Sequence, residues 1–214
     1  MKRFPIIGLL FTVLVFGGCI REPDYGELAE HMVVITEYDE ASINDSENVF
    51  NEYTTFNIRR DTIGYVFNAY PNDTILVDGV DGVSDFVSPV VDEIEGNLVT
   101  AGFNYVDNND NPDFAVKAAV IQNFSFYQTI STPYYSGYYG YYGSYYPIVN
   151  TYTSNSATFL IEIIDVKNYV TNGNKYKVVW RAYIGDLIVT RDLKGKTLEA
   201  INTAFEQSPF IKKN

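Results

Sequence analysis

The chain has a single cysteine, Cys19, in 214 residues. No disulfide can form within it, so its fold must hold by packing alone. It has a single histidine, His31. One imidazole beside Glu30 cannot supply a zinc centre built from several nitrogen or sulfur ligands, and it is badly placed to activate a serine or cysteine nucleophile. No glycine-rich phosphate loop followed by a lysine occurs. Basic residues are scarce: 15 Lys and Arg stand against 27 Asp and Glu, for a net charge of −12. Such a charge repels nucleic acid and anionic lipid, so no nucleic-acid partner is expected. The apolar run from Phe4 to Phe16 is too short to cross a bilayer, which needs about 20 residues.

That short run is nonetheless the most informative stretch. Lys2 and Arg3 precede it, and Gly17-Gly18-Cys19 follows. A positive end, an apolar stretch and small residues before a cysteine are the layout of a bacterial lipoprotein signal. The expectation is a signal peptide over 1–18, an acyl anchor on Cys19 and a polar tether over 19–31 containing Pro23 and Gly26. Acyl chains on Cys19 would hold the protein at a membrane without a basic face. Ile20, where an aspartate would mark inner-membrane retention, points to the outer membrane, with the periplasmic or surface side left open.

Residues 32–214 are long enough for one domain with its own core. Met32 to Thr36 and Tyr53 to Ile58 read as early strands. Residues 59–85 are loop-rich, with a short strand expected at Thr74–Val77. A helix is predicted from Ser88, with Ser88 as cap, Pro89 in the first turn, Val90 or Val91, Ile94, Leu98 and Ala101 on one face, and Gly102 as the stop. Asp107 to Pro112 is a turn. Three long strands follow: Asp113–Asn123, Ala157–Val166 and Lys175–Ile184. In the last, Tyr176, Val178, Trp180, Ala182 and Ile184 alternate with Lys175, Lys177 and Arg181, which predicts one wet face. Thr171-Asn172-Gly173-Asn174 is a hairpin turn. Leu198, Ile201, Ala204 and Phe205 mark a closing helix that ends before Pro209. The fold class expected is α+β: an antiparallel sheet with two helices packed on one face.

Several of these motifs occur in a familiar order. Asn51 to Phe56 comes early; Asn111 to Val116 follows the helix that ends at Gly102; Phe159 to Asp165 and Lys177 to Ala182 come next; and a closing helix leads into Ser208-Pro209-Phe210. Over about residues 32–211 this order resembles the envelope lipoproteins grouped as domain of unknown function 4136. The resemblance implies an exported α+β domain on a lipid anchor. It carries no reaction and no catalytic residue.

The most unusual internal feature is an insertion at 133–147 between two of the long strands. It holds Tyr134, Tyr135, Tyr138, Tyr139, Tyr141, Tyr142, Tyr145 and Tyr146, with Gly137, Gly140 and Gly143 between them. So many rings in one short loop suit contact with a protein or a glycan, because each supplies area at low entropic cost and a hydroxyl for polar bonds. A loop folded over the sheet, shielding the face opposite the helices, is the competing structural reading. Asp107 to Asn111 lacks the central glycine and distal glutamate of a calcium loop and reads as a turn, and Asp78, Asp81 and Asp85 read as a solvated loop, so no metal or other cofactor is expected. Asp61-Thr62-Ile63 and Asp73-Thr74-Ile75 match a short O-glycosylation triplet. The leading expectation is a non-catalytic binding or assembly module. The alternative is an envelope polysaccharide hydrolase using two paired carboxylates.

Overall fold

The computed structural model describes residues 32–44, 47–67, 70–80, 85–121, 157–173, 175–185 and 192–213. Within them run eight strands and two α-helices: β1 (Val34–Tyr38), β2 (Thr55–Ile58), β3 (Ile63–Phe67), β4 (Tyr70–Leu76), α1 (Val87–Thr100), β5 (Asn104–Tyr105), β6 (Phe114–Ile121), β7 (Thr158–Asp165), β8 (Lys177–Ile184) and α2 (Leu193–Glu206). The strands form one sheet in the order β1-β8-β7-β6-β2-β5, with β3 also on β6 and β4 on β3.

The sheet is mixed, which corrects the expected antiparallel one. β1, β8, β7 and β6 are antiparallel neighbours. β2, by contrast, runs parallel to both β5 and β6, and β3 runs parallel to β6. The crossover from β2 and β3 to β6 passes through α1, as a parallel pairing requires. Residues 63–76, read as mostly loop, form the β3–β4 hairpin.

Both helices lie on one face, as their apolar stripes predict. Val87, Val90, Val91, Ile94 and Leu98 of α1 and Ala200, Ile201 and Ala204 of α2 join Phe56, Ile58, Phe114, Val116, Ala118, Phe159, Ile161 and Ile163 in one core. Each Val, Ile, Leu or Phe so buried contributes roughly 1.5–3 kcal/mol. An aromatic group closes one end: Phe50 packs on Tyr53, Phe103 and Phe114, and Phe56 stacks on Phe114. Asn97 Nδ2 donates to Asn202 Oδ1 at 2.8 Å and ties the helices together.

Two local features differ from expectation. In β8, Ile163 faces Trp180 but Ile164 faces Val178, so Val179 is an extra residue in the ladder. This bulge puts fully buried Val179 into the core in place of Val178, which is half-buried. The cap of α1 is not Ser88. Asp78, from the loop after β4, accepts from the backbone N–H of Phe86 (2.8 Å), Val87 (2.7 Å) and Ser88 (2.8 Å). Trp180 is a core residue as predicted, 1 % exposed, with its Nε1 donating to Ser208 Oγ at 2.8 Å. Gly102, at φ +97°, terminates α1 as its position suggested. The Asp107–Asn111 stretch is a 3-10 turn ending with Asn111 in the left-handed region; it is a turn as read, but it joins β5 to β6 rather than a helix to a strand.

Candidate functional site

Cys19 and the eight tyrosines Tyr134, Tyr135, Tyr138, Tyr139, Tyr141, Tyr142, Tyr145 and Tyr146 lie outside the described residues, as do His31 and Asp81. The strands that flank the tyrosine insertion are described. Ile121, the end of β6, is the register partner of Thr158, the start of β7. The intervening chain therefore leaves and returns at one end of the central strand pair.

That pair holds the charges that matter most. The sheet face away from the helices was expected to be wet, yet Lys117 is 6 % exposed, Glu162 1 % and Tyr183 1 %. Leu160 and Ile164 are buried there too. Register lines up Lys117 of β6, Glu162 of β7, Arg181 of β8 and Glu37 of β1 in a single row of alternating sign. Opposite charges on adjacent strands attract directly across the ladder. Arg181 Nε donates to Glu162 Oε1 at 2.7 Å. Burial pushes the Lys117 ammonium down to about 8; Glu162 opposes that shift and Arg181 adds to it.

Beside Lys117 the sheet has a notch. β2 pairs with β6 up to Val116, and β3 takes over from Ala119. Residues 59–62 connect the two strands at this point. A cavity of about 350 Å³ occupies the notch, lined by Asn57, Arg59, Arg60, Asp61, Tyr105, Asp107, Asn108 and Lys117 among others. Arg60 is a fixed part of its wall. Its guanidinium donates to both oxygens of Glu95 and lies 3.6 Å above the Tyr105 ring. Tyr105 donates in turn to Asp107 Oδ1 at 3.2 Å. Asn57 Nδ2 donates to the Val106 carbonyl at 2.9 Å.

A hydrolase would need two free carboxylates facing one cleft. The inward-lying acids described are committed elsewhere. Asp113 accepts from the N–H groups of Thr54 (2.7 Å) and Thr55 (3.1 Å). Asp165 accepts from Asn168 N and Asn172 Nδ2. The exposed Asp192 caps α2 by accepting from Gly195 N. Burial raises the Asp39 carboxyl, but Lys177, 2.5 Å away, and Ser42 outweigh it and hold the group below the ordinary range. This is the opposite of what a general acid needs. Among the described residues no three His, Cys, Asp or Glu side chains gather to hold a metal ion. Thr62 is 6 % exposed, so in the folded chain the first glycosylation triplet is inaccessible. No described helix is long and apolar enough to cross a membrane.

A family model for a domain of unknown function (DUF4136) matches residues 34–210. The chain belongs to the DUF4136 family. A DUF4136 protein of Bacteroides thetaiotaomicron, solved by crystallography, is similar at 21 % identity and a TM-score of 0.64, with 86 % of this chain and 99 % of that one covered. This likeness shows the same fold. Two weaker likenesses are to a PDZ domain protein of Parabacteroides distasonis (14 % identity, TM-score 0.44, 85 % and 37 % covered) and to a PelC dodecamer of Paraburkholderia phytofirmans (13 % identity, TM-score 0.38, 86 % and 99 % covered). No curated protein matches the chain. The DUF4136 family is one of unknown function, as the order of motifs implied.

The charge row and the notch were missed in the sequence, although a signal was present. Lys117 stands alone inside Phe114-Ala-Val-Lys-Ala-Ala-Val-Ile, and Glu162 alone inside Phe159-Leu-Ile-Glu-Ile-Ile. Single charges of opposite sign in two otherwise apolar neighbouring strands mark a buried cross-strand pair rather than a solvated face.

Proposed function

We propose that this DUF4136 chain is a lipid-anchored outer-membrane protein, held by acyl chains on Cys19, and that it works as a non-catalytic binding or assembly module. Its contact surface is the tyrosine insertion at 133–147, and its partner is an envelope protein or a glycan. One observation carries the reading. The stretch 122–156 contains no charged residue in a chain of net charge −12, and it holds ten of the 19 tyrosines. Both its ends are rooted on the paired residues Ile121 and Thr158 of the most deeply buried strands. A rigid base carrying an uncharged aromatic segment suits recognition by stacking and hydroxyl bonds rather than by ion pairing. The commitment of Asp39, Asp78, Asp113 and Asp165 to caps and ion pairs counts against the hydrolase alternative.

The test replaces Tyr138, Tyr139, Tyr141 and Tyr142 together by Ser in the full chain, followed by cross-linking capture from intact cells and thermal melting. Capture should fall sharply and stay insensitive to salt in the parent, while the melting temperature hardly moves. Unchanged capture, or a collapse of the melting temperature, would show that the insertion shields the sheet instead. Mass spectrometry of the envelope fraction should find acyl chains on Cys19; an unmodified thiol removes the anchor.

A further inference from the structure

We propose that the outer edge of β1 accepts an extended, basic segment of another protein as an added strand. The inference uses only described residues and is separate from the tyrosine insertion. It starts from the ladder between β1 and β8. Gly185 N–H donates to the Val33 carbonyl, and Asp39 N–H donates to the Val179 carbonyl. Bonded pairs alternate along an antiparallel ladder, so Ile35 and Glu37 also turn their backbone groups toward β8. Val34, Thr36 and Tyr38 turn theirs outward, and among the described residues no strand lies beyond β1. Proteins commonly guard such an edge with proline, lysine or a bulge. Residues 32–40 contain no proline and no lysine, and β1 keeps its register on β8 without a break. Val33 and Tyr38, both exposed apolar side chains, sit at its two ends.

Charge defines one side of the added strand. Lys117 and Arg181 flank Glu162 across the ladder, and Arg181 lies on the inner side of Glu37 in the same way. A lysine or arginine opposite Glu37 on its outer side extends the alternation by one strand. The row is balanced by itself, with two charges of each sign; the pull on a further cation comes from exposed Glu40 and from the net charge of −12. Residues 32–40 hold three acids and no base, so no register of two β1 strands gives Glu37 a cation. A second copy therefore fits this edge less well than a basic segment does. A groove defines the other side. Val34 lines a cavity of about 290 Å³ with Ala200 and Thr203 of α2. Thr36 Oγ1 donates to Gln207 Oε1 at 3.5 Å, and the Tyr38 ring lies 4.9 Å from that of Phe210. Side chains of an added strand opposite Val34 and Thr36 point the same way, so apolar ones there enter the groove. Main-chain hydrogen bonds supply the affinity of such a complex, and alternate side chains supply its selectivity.

The experiment follows amide hydrogen exchange and backbone amide shifts of the full chain in detergent micelles. In the free chain the Thr36 N–H should exchange about tenfold or more faster than those of Ile35 and Glu37, which β8 holds. The probe is the blocked peptide acetyl-Ser-Thr-Lys-Val-Tyr-Val-Ser-amide, whose antiparallel docking sets its lysine opposite Glu37 and its first valine opposite Thr36. It should saturate, with shifts centred on Val34, Thr36 and Tyr38, and slow their exchange. Glutamate in place of its lysine should weaken binding by about tenfold, and Glu37→Gln should weaken the lysine peptide by about threefold. Methylating the backbone nitrogen of its first valine should abolish binding. Thr36→Pro should do the same from the protein side, because it removes an outward donor and no bond to β8; if that variant does not fold, the methylated peptide decides. The proposal is overturned if Thr36 N–H is already protected in the free chain, or becomes so merely on raising the protein concentration, which would mean that two copies pair. It is equally overturned if the lysine peptide does not saturate, or if the glutamate or methylated peptide binds as well.

Discussion

Removing the Asp78 carboxylate should loosen the start of α1, although Asp78 lies outside the helix. Its two oxygens accept from three successive backbone N–H groups, all within 2.8 Å. Those groups have no partner within the helix, and they carry its positive end. Burial opposes ionisation of Asp78, but the N–H groups of Ser88, Val87 and Phe86 outweigh it and bring the carboxyl down to about 2 from its ordinary 3.8. Taken at face value, that shift would be worth about 2.4 kcal/mol. The group is only half-buried, so solvent screening reduces this to about 1 kcal/mol for the charge alone. Asp78→Asn keeps the acceptor and loses the charge, so it should cost about 1 kcal/mol at pH 7. Asp78→Ala loses both and should cost about 2 kcal/mol. For a domain of this size these are drops of roughly 2–4 °C and 4–8 °C in melting temperature. The sign of the pH dependence follows from linkage. A carboxyl whose pKa is lower in the folded chain stabilises above the unfolded value and loses that contribution as pH falls through the folded one. The gap between parent and Asp78→Asn should therefore be full above about pH 4 and close toward pH 2. Circular-dichroism melts at pH 7, 4 and 2.5 measure it. A gap that is absent at pH 7, or unchanged at pH 2.5, would refute the argument.

Two further outcomes are expected. Ser208→Ala should cost about 1–3 kcal/mol, because it strands the buried Trp180 Nε1 donor without changing the packing volume; denaturant unfolding measures the loss, and a neutral result would mean that the bond adds nothing. Glu162→Gln should cost about 3 kcal/mol by the same measurement, because Lys117 and Arg181 then face each other across β7 with no carboxylate between them; a stable variant would show that the row is neutralised by other means.

The elements that sequence located well were those whose side chains repeat with a clear period. β6, β7 and α1 all lie within two residues of where the patterns of Phe114 to Val120, Phe159 to Ile164 and Val90 to Ala101 put them, and α2 contains Leu198 to Phe205 but starts five residues earlier, at Leu193. Strand direction has no such signature. Phe56 and Ile58 look the same whether they run with β6 or against it, and so the parallel pairings went unseen. The bulge at Val179 is equally silent, because Val178 and Val179 are interchangeable in composition while only one can face the core. Burial of the second face was concealed by Lys177 and Arg181, whose charges suggest water although Arg181 is held over Glu162. The Asp78 cap joins residues eight to ten apart through a loop, beyond the reach of any rule based on adjacent positions.

The pairing of β1 with β8 has a consequence for how the molecule is made. Val34 lies against Ile184, so the first of the described strands has to wait for the last of them before it gains a described neighbour in the sheet. β3 pairs early with β4, and β2 with β5, but neither joins the central strands until β6 is made. During synthesis the early third of the chain carries β-prone segments with open hydrogen-bonding edges. Contacts so distant along the chain slow folding and lengthen exposure to aggregation. Until β8 and α2 have been made, β1 has no strand to lie against.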